Sequence, residues 1–332
     1  MTKHSPGMFV ISLDFELYWG VHDHVVLPHY AENLRGVHTV VPKLLQLFEH
    51  YQIHVTWATV GFLFLNSLQS LQNHLPTIQP SYMNTMLNPY QKLGTLNHTE
   101  LSLLFAPALI EQIRTTPHQE FGTHTFSHYY CLEAGQDITA FRADLAKATE
   151  VAQEHGFTMQ SIVFPRNQIN LQYLSSCLDY GIRAYRGTEY HWIYRARTSQ
   201  QQHWLIRAWR LLDAYLNTTS HHCTTLFDIA RSKPYNISAS RFLRPYNPRI
   251  HWLEPLRLQR IKSSMAYAAQ HGKVFHLWWH PHNFGIYQEE NLAFLRQIFE
   301  FYIKLQQKYD FQSLNMAEVT KYIEDEKNGS RY

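Results

Sequence analysis

"FVISLDFELYWG", residues 9–20, opens as an apolar, β-branched run and closes on two carboxylates, Asp14 and Glu16. An apolar run of this kind is the pattern of a strand covered on both faces, the habit of parallel sheets. Such a strand leaves little water for a charge, so two acids at its end need a reason: a turn, an ion pair or half of a metal site.

Seven further strand-like segments follow: "IHVTWATV" (53–60), "QEFGTH" (119–124), "SIVFP" (161–165), "IRAYR" (182–186), "NISASRFL" (236–243), "KVFHLWW" (273–279) and "FQSL" (311–314). Helical periodicity lies between them. Val37, Val40, Val41, Leu44, Leu45 and Phe48 predict a helix over 37–50. Phe141, Leu145, Ala148 and Ala152 predict another over 138–155 behind Asp137 as N-cap. "NMAE" (315–318) is a capping box that starts the last helix. This alternation predicts an α/β fold, a distorted (β/α)7-type barrel of parallel strands with outer helices. A doubly wound open sheet would need a phosphate-binding glycine fingerprint after a strand, and none is present. Residues 1–332 read as a single domain, with inserted loops at about 73–98 and 217–235.

Composition narrows the function. A net charge of +3 without a lysine or arginine run gives no nucleic-acid footprint. Three cysteines, Cys131, Cys177 and Cys223, form no C-x-x-C pattern, which argues against a disulfide framework or a thiolate zinc site. No eighteen-residue apolar run predicts a membrane span, and the short run before Asp14 does not read as a secretory leader. The expectation is a reduced, cytoplasmic protein.

Barrel enzymes build their sites where strands end. Asp14 and Glu16 follow the first strand, His124 and His128 the third, Arg166 the fourth and His280 the seventh. With 22 histidines, i,i+4 pairs arise by chance, and three occur. His276/His280 sits in a strand, where four residues span roughly 13 Å, too far for one ion. His50/His54 lies away from the C-terminal rim. His124/His128 falls where a loop turns toward a helix, so that both rings share a face. Asp14 and Glu16, two apart, point the same way; one can ligate a metal while the other reaches a water beside it.

In this order the residues resemble the polysaccharide deacetylase family (NodB homology, carbohydrate esterase family 4). The resemblance spans roughly residues 9–285 and rests on "SLDFE", "HTFSH", "FPRNQIN" and "LWWH". It implies a distorted (β/α)7 barrel and one divalent metal, most readily Zn²⁺ with Co²⁺ or Ni²⁺ as alternatives, held by Glu16, His124 and His128. It implies Asp14 as catalytic base, Arg166 as the guanidinium that orients it, and His280 as general acid. Leu277 would border the acetyl methyl, and Trp192 would match the family's tryptophan. The implied activity is removal of acetyl groups from N-acetylated sugars of a polysaccharide or its activated precursor. The assignment of roles between Asp14 and Glu16 stays open.

Residues 183–210 carry six arginines (183, 186, 195, 197, 207 and 210) among Tyr185, Tyr190, Trp192 and Trp204. Such a rim can stack sugar faces and pair with phosphate, with Arg186 as one contact, which suits a nucleotide- or lipid-diphosphate-linked sugar. Two alternatives remain: an O-deacetylase or amidase on the same metal site, and a catalytically silent barrel that binds a glycan or partner protein.

Overall fold

The computed structural model describes residues 6–96, 98–198, 201 and 203–329. Strand β1 (Met8–Phe15) leads to α1 (Leu27–His50), and β2 (Val55–Thr59) to α2 (Leu68–Asn73) and α3 (Pro107–Thr115). β3 (Gln119–Thr123) precedes α4 (Ile138–Glu154), β4 (Ser161–Ile162) precedes α5 (Leu174–Asp179), and β5 (Ala184–Tyr185) precedes α6 (Trp204–Asp213). β6 (Thr224–Thr225) precedes α7 (Leu226–Ile229), while β7 (Tyr235–Asn236) and β8 (Arg241–Phe242) precede α8 (Glu254–Gln270). β9 (Lys273–Trp279) then leads to α9 (Gln288–Tyr309), and β10 (Gln312–Ser313) to α10 (Met316–Gly329).

The strands form one sheet in the order β6-β9-β1-β2-β3-β4-β5-β7, with β10 beside β1 and β8 beside β9. The pairings are parallel except that of β6 with β9. The sheet curls, and the segment 235–243 links its two ends. Ile237 and Ala239 donate to Tyr185 and Gly187 on one side, and Ser240 and Leu243 to His276 and Trp278 on the other. The strand expected over 236–243 is therefore two short strands, because its backbone changes partners midway. This is a distorted (β/α) barrel.

Side chains of β1 alternate as a strand requires. Ile11, Leu13 and Phe15 enter the large core under the helices with Val41, Leu44, Phe48, Trp57, Leu277 and Trp279. Val10, on the inner face, packs with Ala184, Ile237 and Val274 against Met316, Val319 and Ile323 of α10, which closes the bottom of the barrel. The opposite end, where the parallel strands finish, is open for a site.

Helix α1 begins ten residues earlier than its periodicity predicts. Pro28 stands in the first turn, where its missing N–H costs nothing, and buried Ala31 and Leu34 extend the apolar stripe. The capping box of α10 is present: Glu318 N–H donates to Asn315 Oδ1 at 2.9 Å, and Asn315 N–H to Glu318 Oε2 at 2.9 Å. Asn315→Ala should lower stability by about 1 kcal/mol, read as a shift of the urea midpoint at constant slope.

Both expected loops carry structure. Residues 217–235 contain the antiparallel strand β6 and α7; two threonines in a polar stretch give no periodicity to detect. Within 73–98, the 3₁₀ turns Thr85–Leu87 and Pro89–Thr95 pack over the first strand's exit. There Lys92 Nζ donates to the His22 carbonyl at 2.5 Å.

Candidate active site

Glu16 leaves the ladder just beyond β1 and opens a 3₁₀ turn, Leu17–Gly20. Gly20 is required here: a Cβ on it would lie 2.0 Å from the Glu16 carboxylate. Glu16 is 4% exposed. Burial would raise its carboxyl, but His280, His124 and His128 around it hold it well below the ordinary value.

His124 and His128 each bring Nε2 to 3.1 Å from Glu16 Oε2. The three ligand atoms lie within 4.8 Å of one another. The two rings do not meet along a helix face as expected; the segment between them is a tight turn. Thr125 and His128 adopt left-handed backbone, at φ 64° and 61°, a strained choice for a β-branched residue. The strain is held from α4. Buried Asp144 accepts from Phe126 N–H at 2.7 Å, from Ser127 N–H at 3.2 Å and from the Ser127 hydroxyl. Asp144→Ala would leave those donors buried without an acceptor, at about 1–3 kcal/mol each. It should also weaken divalent-ion affinity by about 10–100-fold, read by competition with a metallochromic chelator; Asp144→Asn should fall between.

These three side chains fit a divalent cation. His124 Nδ1 donates to the Val163 carbonyl at 2.8 Å, which turns Nε2 toward the carboxylate oxygen, where it can offer a lone pair to an ion. A cation between them would be shared by the lone pair and the carboxylate. His128 Nδ1 is buried without a hydrogen-bond partner, and burial pushes this imidazole down to about 4 despite Glu16. Both rings can therefore act as neutral ligands.

Asp14 lies beside this group but has a different partner. Its Oδ1 and Oδ2 accept from Arg186 Nη1 and Nη2 at 2.7 and 2.8 Å, a bidentate pair. Burial would raise the Asp14 carboxyl, yet the Arg186 charge, with His124 and His280, holds it below the usual value. Arg186 is itself fully buried, stacked 4.1 Å under the Trp278 ring and bonded to Ser12 Oγ and Asn167 Oδ1 at 3.0 Å each. His276 completes the network below, at 2.8 Å from Ser12 Oγ.

Across from Asp14, His280 Nε2 is 3.6 Å from Asp14 Oδ2 and 3.6 Å from Glu16 Oε1. Asn283 Nδ2 lies 3.3 Å from His280 Nδ1, which steadies the ring with Nε2 facing the cavity. The cavity between these groups, Tyr30, Arg166 and Trp278 has a volume of about 370 Å³, within the range of a sugar-sized ligand.

Four sequence expectations are corrected. Arg186, expected as a substrate contact, is fully buried and clamps Asp14 instead. Arg166 does not orient Asp14; it pairs with Asp23 Oδ2 at 2.5 Å and lies over Tyr130, while its neighbour Asn167 reaches Arg186. Leu277 is fully buried on the helix side of β9, because alternation turns Trp278 inward instead. Trp192 is 45% exposed, packs edge-on against Trp209 at 5.5 Å, and lines a neighbouring groove with Tyr190 and Arg195.

Asp144, Asp23 and Asn167 are not among the residues singled out from sequence; Asn283 is, as a donor behind His280, and it does meet that ring. Parity along the fifth strand was the available signal for Arg186 as the partner of Asp14.

No protein-family model matches the sequence, and no curated protein matches it either. Solved structures do. A chain from Mycobacterium smegmatis, assigned as a polysaccharide deacetylase, superposes with a TM-score of 0.61 at 13% identity, covering 98% of this chain and 93% of that one. One from Pseudomonas aeruginosa PAO1 with the same assignment gives a TM-score of 0.52 at 11% identity, covering 95% and 89%. A 4-alpha-glucanotransferase from Thermococcus litoralis also gives 0.52 at 11% identity, covering 96% of this chain but 40% of that one. The chain has the NodB-type polysaccharide deacetylase fold. A transferase sharing that fold means the reaction has to be read from the site.

Proposed function

We propose that this chain is a divalent-metal-dependent hydrolase that removes acetyl groups from the amide nitrogen of an N-acetylated sugar, in a polysaccharide or its activated precursor. One observation carries the reading. Glu16, His124 and His128 converge at the open end of the barrel, beside a carboxylate, Asp14, clamped by a buried arginine.

An ion held by these three would supply Lewis acidity, polarising the acyl carbonyl and acidifying water; two imidazoles and a carboxylate suit Zn²⁺, with Co²⁺ or Ni²⁺ able to take the same ligands. The remaining work falls to the side chains. Asp14, held below the ordinary carboxylate value, is ionised at neutral pH and accepts the proton of the attacking water. Arg186 fixes both its oxygens, so the accepting lone pair needs no reorganisation. An amine anion is a poor leaving group, and His280, as an imidazolium with Nε2–H turned to the cavity, delivers the proton that lets the nitrogen depart. Acetate and a free amino sugar result. The three cysteines are free thiols, which suits the cytoplasmic setting we propose, and among the described residues no helix is long and apolar enough to cross a membrane.

The test is acetate release from a panel of N-acetylated, O-acetylated and nucleotide-linked sugars, with chelated protein and after adding back divalent ions. Chelator-sensitive release from an N-acetyl sugar, restored by Zn²⁺ or Co²⁺, is expected. Release that survives chelation, or none from any substrate, would contradict the reading.

A further inference from the structure

Next to the Asp14 cavity lies a second one, of about 180 Å³, that shares Arg166, Asn167 and Trp278 with it. Six arginines line this second cavity: Arg166, Arg195, Arg197, Arg210, Arg241 and Arg244. The one carboxylate in its wall is Glu189. Like charges at this density are costly to bring together unless something neutralises them.

Only part of the charge is matched from within. Arg166 pairs with Asp23 at 2.5 Å. Arg241 pairs with Asp213 at 2.5 Å, but its Nε is buried without a partner. Glu189 can offset one more. Arg195, Arg197 and Arg244 form no ion pair with a carboxylate among the described residues; Arg197 is steadied by the backbone carbonyls of Trp192, Ile193 and Arg195 at 2.7–3.0 Å. Those carbonyls aim the guanidinium without discharging it. Burial, with Arg197 and Arg244 close by, lowers Arg210, and burial lowers Arg244, whose neighbours are the phenols of Tyr215 and Tyr194.

We propose that this cavity is an oxyanion subsite that holds a phosphoryl group of the substrate, so that the sugar reaches Asp14 and His280 already attached to a phosphate or diphosphate. This rests on the deacetylase reading for the neighbouring cavity. The excess of guanidiniums sets the class: one bidentate arginine satisfies a carboxylate, whereas several converging forks suit the larger charge and oxygen count of a phosphate or diphosphate. The shared wall of Arg166, Asn167 and Trp278 makes the two cavities contiguous, so one elongated ligand can occupy both. The carrier of the phosphate can be a nucleotide or a lipid. Helix α6, which brings Arg210 to the cavity, turns Trp204 and Leu205 to solvent, 73% and 61% exposed, so the test includes a lipid-borne arm.

Binding of inorganic pyrophosphate to the full, metal-stripped chain is measured by calorimetry at two salt concentrations. Binding that weakens with salt, and by at least about tenfold in Arg195→Ala with Arg244→Gln, is expected. Arg195 is exposed, so Arg195→Ala alone, which should show a smaller loss, serves if the double variant does not fold. With metal restored, an N-acetylhexosamine phosphate should be deacetylated with a lower KM than a neutral N-acetyl oligomer, and Arg195→Ala should raise the first KM only. Comparing a nucleoside-diphosphate sugar in solution with a lipid-diphosphate sugar in vesicles then identifies the carrier. No pyrophosphate binding, equal binding by wild type and variants, or a preference for neutral or uronate sugars would overturn the subsite. Arginine-dependent pyrophosphate binding without acetate from any sugar would keep the subsite and remove the deacetylase reading.

Discussion

Asp14→Asn is expected to reduce acetate release by about 10²–10⁴-fold while leaving one divalent ion bound per chain. The amide keeps the shape of the side chain but cannot take a proton from water, and it lies outside the Glu16, His124, His128 group. Glu16→Gln should do the reverse and lose the ion first. Measuring metal content and turnover on the same two samples separates the acceptor from the ligand. If Asp14→Asn lost the metal and Glu16→Gln kept it, the roles would be exchanged. Because Arg186 is fully buried, Asp14→Asn also leaves it facing a neutral group, so turnover is normalised to the folded fraction.

The second large effect concerns Arg186. Arg186→Met leaves Asp14 a buried, unpaired carboxylate, at about 3–5 kcal/mol in stability near neutral pH. The sign of the pH dependence follows from the pairing. In the wild type the folded Asp14 carboxyl is held below its ordinary value, so the pair contributes stability above the unfolded carboxylate range and loses it as pH falls through the folded value. In the variant burial loses its main opponent and the carboxyl rises. The stability gap between the two proteins should therefore narrow as pH is lowered, read from urea midpoints. The acid limb of turnover should move to higher pH, because Asp14 must be ionised to accept a proton. Arg166→Met should leave that limb in place, since Arg166 is paired with Asp23. Equal shifts in both variants would mean that the two arginines act on Asp14 alike.

Much of this architecture is legible in the chain. β1 is largely apolar on both faces, and its carboxylates, Asp14 and Glu16, appear only where the strand runs out, as His280 does just beyond β9. The capping box of α10 is visible because both of its partners are local. What escaped was set at long range. Arg166 and Arg186 each follow a short strand, and nothing local tells which guanidinium turns inward; the left-handed backbone of Arg166, at φ 53°, sends it to Asp23. Leu277 and Trp278 are neighbours whose faces are decided by the register of β9 on β1, Leu277 opposite Ile11. Asp144 sits in the middle of a helix, where an acid ordinarily faces solvent, and its role in holding the histidine turn emerges only from packing. Trp192 belongs to a rim fixed by contact with Trp209 rather than by any strand.

The measurement closest to the central claim is crystallographic: anomalous diffraction above and below the zinc edge from crystals grown with Zn²⁺, for the wild type and for His128→Ala. One strong site coordinated by Glu16, His124 and His128 in the wild type, and absent from the variant, is the predicted result. Zinc bound elsewhere, or density at that position unchanged when His128 is removed, would contradict it.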